Sequence, residues 1–167
     1  MIIYIFRGGH KGKREELLKK AFEMYEKEKS LPDRSELKFS ISHTGDIWGC
    51  LVSTGDVGFD IQNKKNTDYI KLSKRFFLDS EVEYVKKNGA TGFFDIWTRK
   101  EACVKYFKTG LLRDIKSFSL TDGNTLTEKV FFRGRVCYVN SFDLSEDVKC
   151  AYCSSMRGED IWLRELK

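Results

Sequence analysis

Proline and histidine are what this 167-residue chain has least of: Pro32 is its only proline, and His10 and His43 are its only histidines. So few histidines make a Ser-His-Asp triad a poor fit, because Ser42 and His43 are neighbours whose side chains point apart, and His10 alone remains. No run reaches the ~18 apolar residues of a membrane span. Met1-Ile2-Ile3-Tyr4-Ile5-Phe6 is too short for a signal h-region and lacks a cleavage site. The expectation is a soluble, cytoplasmic protein with no membrane partner. Neither a Walker loop nor a GxGxxG fingerprint occurs. No repeat, linker or low-complexity segment is legible, and an aromatic content of 14% excludes a disordered chain. At this length a core forms without a disulfide or a metal to staple it.

Charge is abundant but nearly balanced. Thirty Lys and Arg against 25 Asp and Glu give a formal charge of +5. That excess suits an anionic partner, whether nucleic acid, a phosphorylated small molecule or an acidic protein, but it is no polybasic tail. Cys50, Cys103, Cys137, Cys150 and Cys153 are an odd number without an export signal, which reads as reduced thiols. Cys150-Ala151-Tyr152-Cys153 is a CxxC, yet zinc needs four ligands and no second pair or suitable His lies near. A half-buried strand of small hydrophobes is the preferred reading.

Periodicity organises the chain. Ile2 to Phe6 reads as a strand ended by Arg7-Gly8-Gly9, and Leu17, Leu18, Ala21, Met24 and Tyr25 recur at helical spacing within 13–29. Leu37, Phe39 and Ile41 alternate with polar residues, His43-Thr44-Gly45-Asp46 turns the chain, and strands over 47–53 and 57–62 follow. Short turns between them predict an antiparallel meander. Helices are expected over 68–77, from a capping box at Ser80 to Glu83 as far as Gly89, and over 93–108. Strands are expected over 117–120, 130–139 and 149–155. The fold class is α+β, with antiparallel-sheet lobes and packed helices.

Three places depart from this bland pattern. On the strand 57–62, Val57, Phe59 and Ile61 share one face and Gly58, Asp60 and Gln62 the other. Two oxygen donors at i and i+2 suit a hard cation such as Mg²⁺, the alternative being a solvated face of an edge strand. In Trp97-Thr98-Arg99-Lys100-Glu101-Ala102-Cys103-Val104-Lys105, the charges of Lys100, Glu101 and Lys105 lie in or beside the arc of Trp97, Val104 and Phe107. They face a charged ligand or metal, or else Glu101 and Lys105 form a surface i,i+4 pair. In Phe39-Ser40-Ile41-Ser42-His43-Thr44-Gly45, a His flanked by hydroxyls and Gly at a strand end could donate to phosphate, or could be a turn histidine without a ligand.

Taken in order, FSISHTG (39–45), VGFDIQ (57–62), KRFFLDSEVEYV (74–85) and WTRKEACVKYFKTGL (97–111) resemble the 4′-phosphopantetheinyl transferases, of the type that modifies carrier proteins of secondary metabolism. The resemblance runs from about Leu37 to Ser155. It implies a single pseudo-twofold domain over 1–167, with a reduced N-terminal lobe (1–56) and a C-terminal lobe (57–167). It implies Mg²⁺-dependent transfer of the phosphopantetheine arm of coenzyme A to a serine of an apo acyl or peptidyl carrier protein, releasing 3′,5′-ADP. By position, the metal acids fall on Asp60 and Glu101, with Gln62 in a slot usually held by Glu. Ser42, His43 and Thr44 resemble the phosphate-contacting segment, and Lys100 and Lys105 the lysines near the phosphates. Glu101 and Lys105 carry the catalytic assignment with Glu81, the acid of the FFxxxE segment, in an assisting role. Lys13 and Arg14 are assigned to the nucleotide phosphates that a longer first lobe normally holds.

The chemistry agrees with those residue types. Attack on the β-phosphorus needs diphosphate charge neutralised, a leaving phosphate stabilised and a serine proton removed. A cationic surface attracts an acidic carrier. A monomer is the expected state, although a short first lobe leaves open whether a second subunit completes the pocket. A nucleic-acid-binding module would explain the +5 but not Asp60 and Glu101, which repel phosphate without a metal. A catalytically inactive, transferase-like binding protein is the other alternative.

Overall fold

The structure is a computed structural model that describes residues 1–8, 14–30, 34–110 and 114–166. In chain order its elements are β1 (Ile2–Arg7), α1 (Arg14–Lys29), a 3-10 turn (Arg34–Glu36), β2 (Lys38–Thr44), β3 (Ile47–Ser53), β4 (Val57–Asn63), α2 (Tyr69–Phe76) and α3 (Asp79–Phe107). They continue with β5 (Thr121–Asp122), β6 (Thr125–Leu126), β7 (Lys129–Phe132), β8 (Arg135–Ser145), β9 (Val148–Ser154) and β10 (Trp162–Leu166).

Two four-stranded sheets result, in the orders β10-β1-β3-β2 and β4-β9-β8-β7. Alternation decides which way each strand faces. In the first sheet Ile3, Ile5, Ile47 and Leu51 point toward Phe59, Ile61, Val148 and Cys150 of the second, forming a core between the sheets. The opposite face of the first sheet, with Tyr4, Phe6, Cys50 and Val52, is covered by Leu17, Ala21 and Tyr25 of α1. The outer face of the second sheet carries the aromatic-rich cluster of α2 and α3, including Phe77, Phe93, Ile96 and Phe107. The layers are therefore helix, sheet, sheet, helices, an α+β architecture. Among the described residues no helix is long and apolar enough to cross a membrane.

Several expectations change. The strand 57–62 does not continue the meander: β2 and β3 pair antiparallel, but β4 leaves them and pairs with β9 in the second sheet. The stretch 130–139 is a hairpin, turning at Arg133 and Gly134, both with positive φ. Residues 117–120 are not a strand; the short β5–β6 ribbon follows them. β10, which its sequence did not announce, pairs parallel with β1. β10 thus joins β1, β3 and β2 in the first sheet.

Helices 79–88 and 90–107 run as one element with a break at Gly89, whose φ of 62° is open to glycine and strained for other residues. The helix start also shifts by two residues. Glu81, not Glu83, accepts the N–H of Leu78 at 2.9 Å, while Glu83 pairs with Lys86 at the surface.

Candidate active site

The two sheets meet edge to edge where β2 runs beside β4, and hydroxyls on alternate residues of β2 bridge them. Ser40 Oγ accepts the N–H of Phe59 at 2.8 Å, Thr44 Oγ1 accepts the N–H of Asn63 at 3.0 Å, and Ser42 Oγ donates to Asp60 Oδ1 at 2.7 Å. A strand period of two sends these three residues toward β4 and sends His43 the other way. His43 is exposed and stacks on Trp48, its cross-strand partner, with ring centroids 4.4 Å apart.

On the far side of β4, α3 comes unusually close. A Cβ on Gly58 would lie 2.0 Å from the carbonyl oxygen of Ala102, so only glycine permits this approach. The helix thereby brings two side chains one turn apart over the neighbouring Asp60. Lys105 Nζ donates to Asp60 Oδ1 at 2.8 Å and to the carbonyl of Phe59 at 3.0 Å. The ion pair of Lys105 is thus with Asp60 across the strand rather than with Glu101 along the helix. Asp60 is buried, and among the described residues its Oδ2 has no hydrogen-bond partner. Burial, then the Asp60 charge, pushes the Glu101 carboxyl up to about 7, with Lys105 acting in the opposite direction.

A buried carboxylate with one oxygen orphaned, beside a second carboxyl whose charge is disfavoured, is a donor set that a hard cation would satisfy. Gln62, on the same strand face as Asp60, lines with Glu101 an open cavity of about 300 Å³ that also includes Lys65, Leu72, Phe93 and Trp97. A polar end of carboxylate and amide thus adjoins an apolar wall.

Other sequence-assigned residues stand elsewhere. Lys100 and Glu81 are both fully buried and 2.9 Å apart. Lys100 Nζ also donates to the carbonyls of Ile115 and Phe118, and Glu81 also accepts the N–H of Leu78 and of Leu120. With every polar atom turned to protein, this pair is a buried tie between α3 and the segment after it. The sequence assigned Lys100 to phosphate and Glu81 to an assisting catalytic role; the structure places both in this sealed pair, turned away from Asp60 and Glu101. Thr98 and Arg99 are likewise internal, bonding Phe94 and, for Arg99, Ser141 and Thr127. Arg14 opens α1 and is exposed; Lys13 lies outside the described residues. The structure therefore gathers Ser42, Asp60, Glu101 and Lys105, with Gln62 at the rim, and keeps Lys100 and Glu81 apart from them. The role of Ser42 as partner to Asp60 carries no signal in its own segment, because it depends on how the two sheets abut.

A two-lobed α+β fold with an acid–lysine centre between a strand and a helix is the class these features define. A family model for the 4′-phosphopantetheinyl transferase superfamily matches residues 56–153, more than half of the chain, and the chain belongs to that superfamily. It is similar to a 4′-phosphopantetheinyl transferase of Bacillus subtilis, 28% identical over 131 residues, which cover 75% of this chain and 58% of the relative. The 4′-phosphopantetheinyl transferase gsp of Aneurinibacillus migulanus is 29% identical over 125 residues, covering 71% and 52%. The 4′-phosphopantetheinyl transferase Sfp of Bacillus subtilis strain 168 is 27% identical over 132 residues, covering 75% and 58%. The chain spans about half the length of these curated relatives.

Proposed function

We propose that this protein transfers the 4′-phosphopantetheine arm of coenzyme A to a serine hydroxyl of an apo acyl or peptidyl carrier protein, releasing 3′,5′-ADP. The observation that carries the reading is the buried, unpartnered Oδ2 of Asp60 beside Glu101. Asp60 and Glu101 would hold Mg²⁺, with Gln62 at its edge. When bound, the ion would neutralise charge on the coenzyme A diphosphate.

The chain's own residues account for the remaining demands. Lys105 is anchored by Asp60 and the Phe59 carbonyl, but its side chain remains 30% exposed, which leaves its ammonium able to meet an incoming phosphate. Ser42 fixes the rotamer of Asp60 through its 2.7 Å hydrogen bond. Glu101, or a water it holds, is placed to accept the proton that the attacking serine releases. The serine oxygen bonds to the β-phosphorus as the phosphoanhydride bond breaks, and the electron pair leaves on the 3′,5′-ADP phosphate. The apolar wall of Leu72, Phe93 and Trp97 adjoins the reacting end. His43 and Arg14, both exposed in the first lobe, are assigned to the nucleotide phosphates, and a cytoplasmic location follows from the substrate.

The test is incubation with coenzyme A, Mg²⁺ and a panel of apo carriers, read by intact mass. Addition of one phosphopantetheine per carrier, lost in Asp60→Ala and Glu101→Ala variants that stay folded, is expected. Turnover near the parent level in both variants would overturn the metal assignment.

A further inference from the structure

β10 is the outermost strand of the first sheet, whose order is β10-β1-β3-β2. The opposite end of that sheet is closed, because β2 bridges to β4 through Ser40 and Thr44. At β10 the parallel register with β1 decides where each backbone group points. Trp162 donates its N–H to the carbonyl of Met1, so by alternation Trp162, Arg164 and Leu166 turn their backbone groups toward β1. Leu163 and Glu165 turn theirs outward. Among the described residues no second strand meets them, and the Leu163 carbonyl accepts from the guanidinium of its neighbour Arg164 at 3.2 Å.

Edge strands are commonly blunted by free charge, proline or a covering element. This one exposes two adjacent large apolar side chains, Trp162 at 50% and Leu163 at 40%. Its two charges are already paired within the chain. Arg164, on the face that carries α1, meets Glu28 at 3.0 Å and sits 5.5 Å from the Trp162 ring. Glu165, on the other face with Leu163, meets Arg7 at 3.3 Å.

We propose that β10 is a homodimer interface, pairing antiparallel with the β10 of a second copy about a twofold axis through Leu163. Such an axis stands normal to the sheet and keeps like faces together, which leaves few registers. An axis through Arg164 or Glu165 sets identical charges opposite each other, and one through Trp162 sets Glu165 against Glu159; like charges directly opposite are destabilising. The axis through Leu163 sets it against the partner subunit's Leu163, and the two exchange their outward N–H and C=O groups. Glu165 then reaches the backbone of the partner subunit's Ile161. Trp162 stands opposite the partner subunit's Arg164, so each guanidinium lies between two indoles, a cation–π contact on either side.

Five strand residues per copy make a small interface, so association is weak and concentration-dependent. It stops at two copies, because β4 closes the other end of the sheet. The candidate active site lies at that closed end, so each copy keeps its own. The inference replaces the monomer expected from sequence and does not depend on the transferase reading.

Sedimentation equilibrium of the full chain across a concentration series reads the association. A reversible monomer–dimer equilibrium is expected. Leu163→Lys, which sets like charges at the axis, should raise the dissociation constant at least about tenfold. A short thiol-to-thiol cross-linker reads the register. Opposed residues that exchange both hydrogen bonds have Cα atoms about 5.5 Å apart, whereas the two copies of position 165 are offset by about 13 Å along the strands. Leu163→Cys should therefore cross-link and Glu165→Cys should not, and the native cysteines, all buried, add no background. If Leu163→Lys fails to fold, the two cysteine variants still decide. A parent that stays monomeric at about millimolar concentration, a dimer undiminished in a folded Leu163→Lys variant, or cross-linking through Glu165→Cys and not Leu163→Cys would each overturn the interface.

Discussion

Two acid–lysine pairs anchor α3, and they differ in what surrounds them. Glu81 and Lys100 are sealed from water, with four backbone groups completing their hydrogen bonds. Asp60 is buried but its partner Lys105 is partly exposed, one carboxylate oxygen has no hydrogen-bond partner among the described residues, and burial and the Asp60 charge raise the pKa of Glu101 beside them. The first pair is complete and can only hold structure. The second is incomplete and can still take a ligand. Completion, more than charge or proximity, separates a buried strut from a reactive centre.

The largest effect expected is at the sealed pair. Glu81→Ala strands a buried ammonium and two backbone N–H groups, and Lys100→Met strands a buried carboxylate. Each should lower unfolding free energy by about 3–5 kcal/mol in urea denaturation. A loss below 1 kcal/mol would put this pair in the class of surface ion pairs and erase the contrast.

The next effect is at Glu101 and depends on pH. Its folded pKa of about 7 lies above the ordinary 4.5, so the folded state binds the proton more tightly than the unfolded chain. Below pH 4.5 the group is protonated in both states and imposes no penalty. Stability then falls as pH rises, and above pH 7 the penalty levels off at up to about 3 kcal/mol. Glu101→Gln should therefore stabilise the metal-free protein at pH 8 but not at pH 4, and saturating Mg²⁺ should erase the gain. Melts across pH check this, and a flat difference would show that the carboxyl is not held in a dry site.

Gly58→Ala tests how the open centre is assembled. The added methyl meets the backbone of Ala102, which cannot give way as a side chain would. A loss of about 1–3 kcal/mol is expected, together with a higher Mg²⁺ requirement for transfer as Glu101 moves away from Asp60. Unchanged Mg²⁺ dependence would mean that the spacing of helix and strand does not set the metal site.

The smallest change is Gln62→Glu. A second carboxylate beside Asp60 should lower the Mg²⁺ concentration for half-maximal transfer, and repulsion should cost the metal-free protein less than about 1 kcal/mol. No change in either quantity would mean that position 62 points away from the ion.

Much of this molecule was legible in one dimension. The strands 47–53 and 57–62 announce themselves by short apolar runs and flanking turns, and the two helical stretches now joined in α3 by a capping box and an apolar arc, because these patterns act between near neighbours. Placing Asp60 and Gln62 together on one face of β4 also required only the strand period. The hairpin within 130–139 looks like one strand in sequence because Arg133, which shares its turn with Gly134, is no typical turn residue. β10 escaped because a parallel partner some 160 residues away leaves no local trace.

Lys100 and Glu101 mark where the sequence stops deciding. They are consecutive, equally charged in magnitude and part of one motif, and composition treats them alike. A rotation of about 100° around the helix sends one toward 115–120 and the other toward β4. The sequence by itself determined most of the elements, the family motifs and the acid–lysine set from which a site could be drawn. Tertiary structure decided which charges were sealed, which oxygen was left without a partner and which strand stood at the sheet's edge. Burial and hydrogen-bond completion depend on what the rest of the chain brings to each side chain, and no local pattern carries that information.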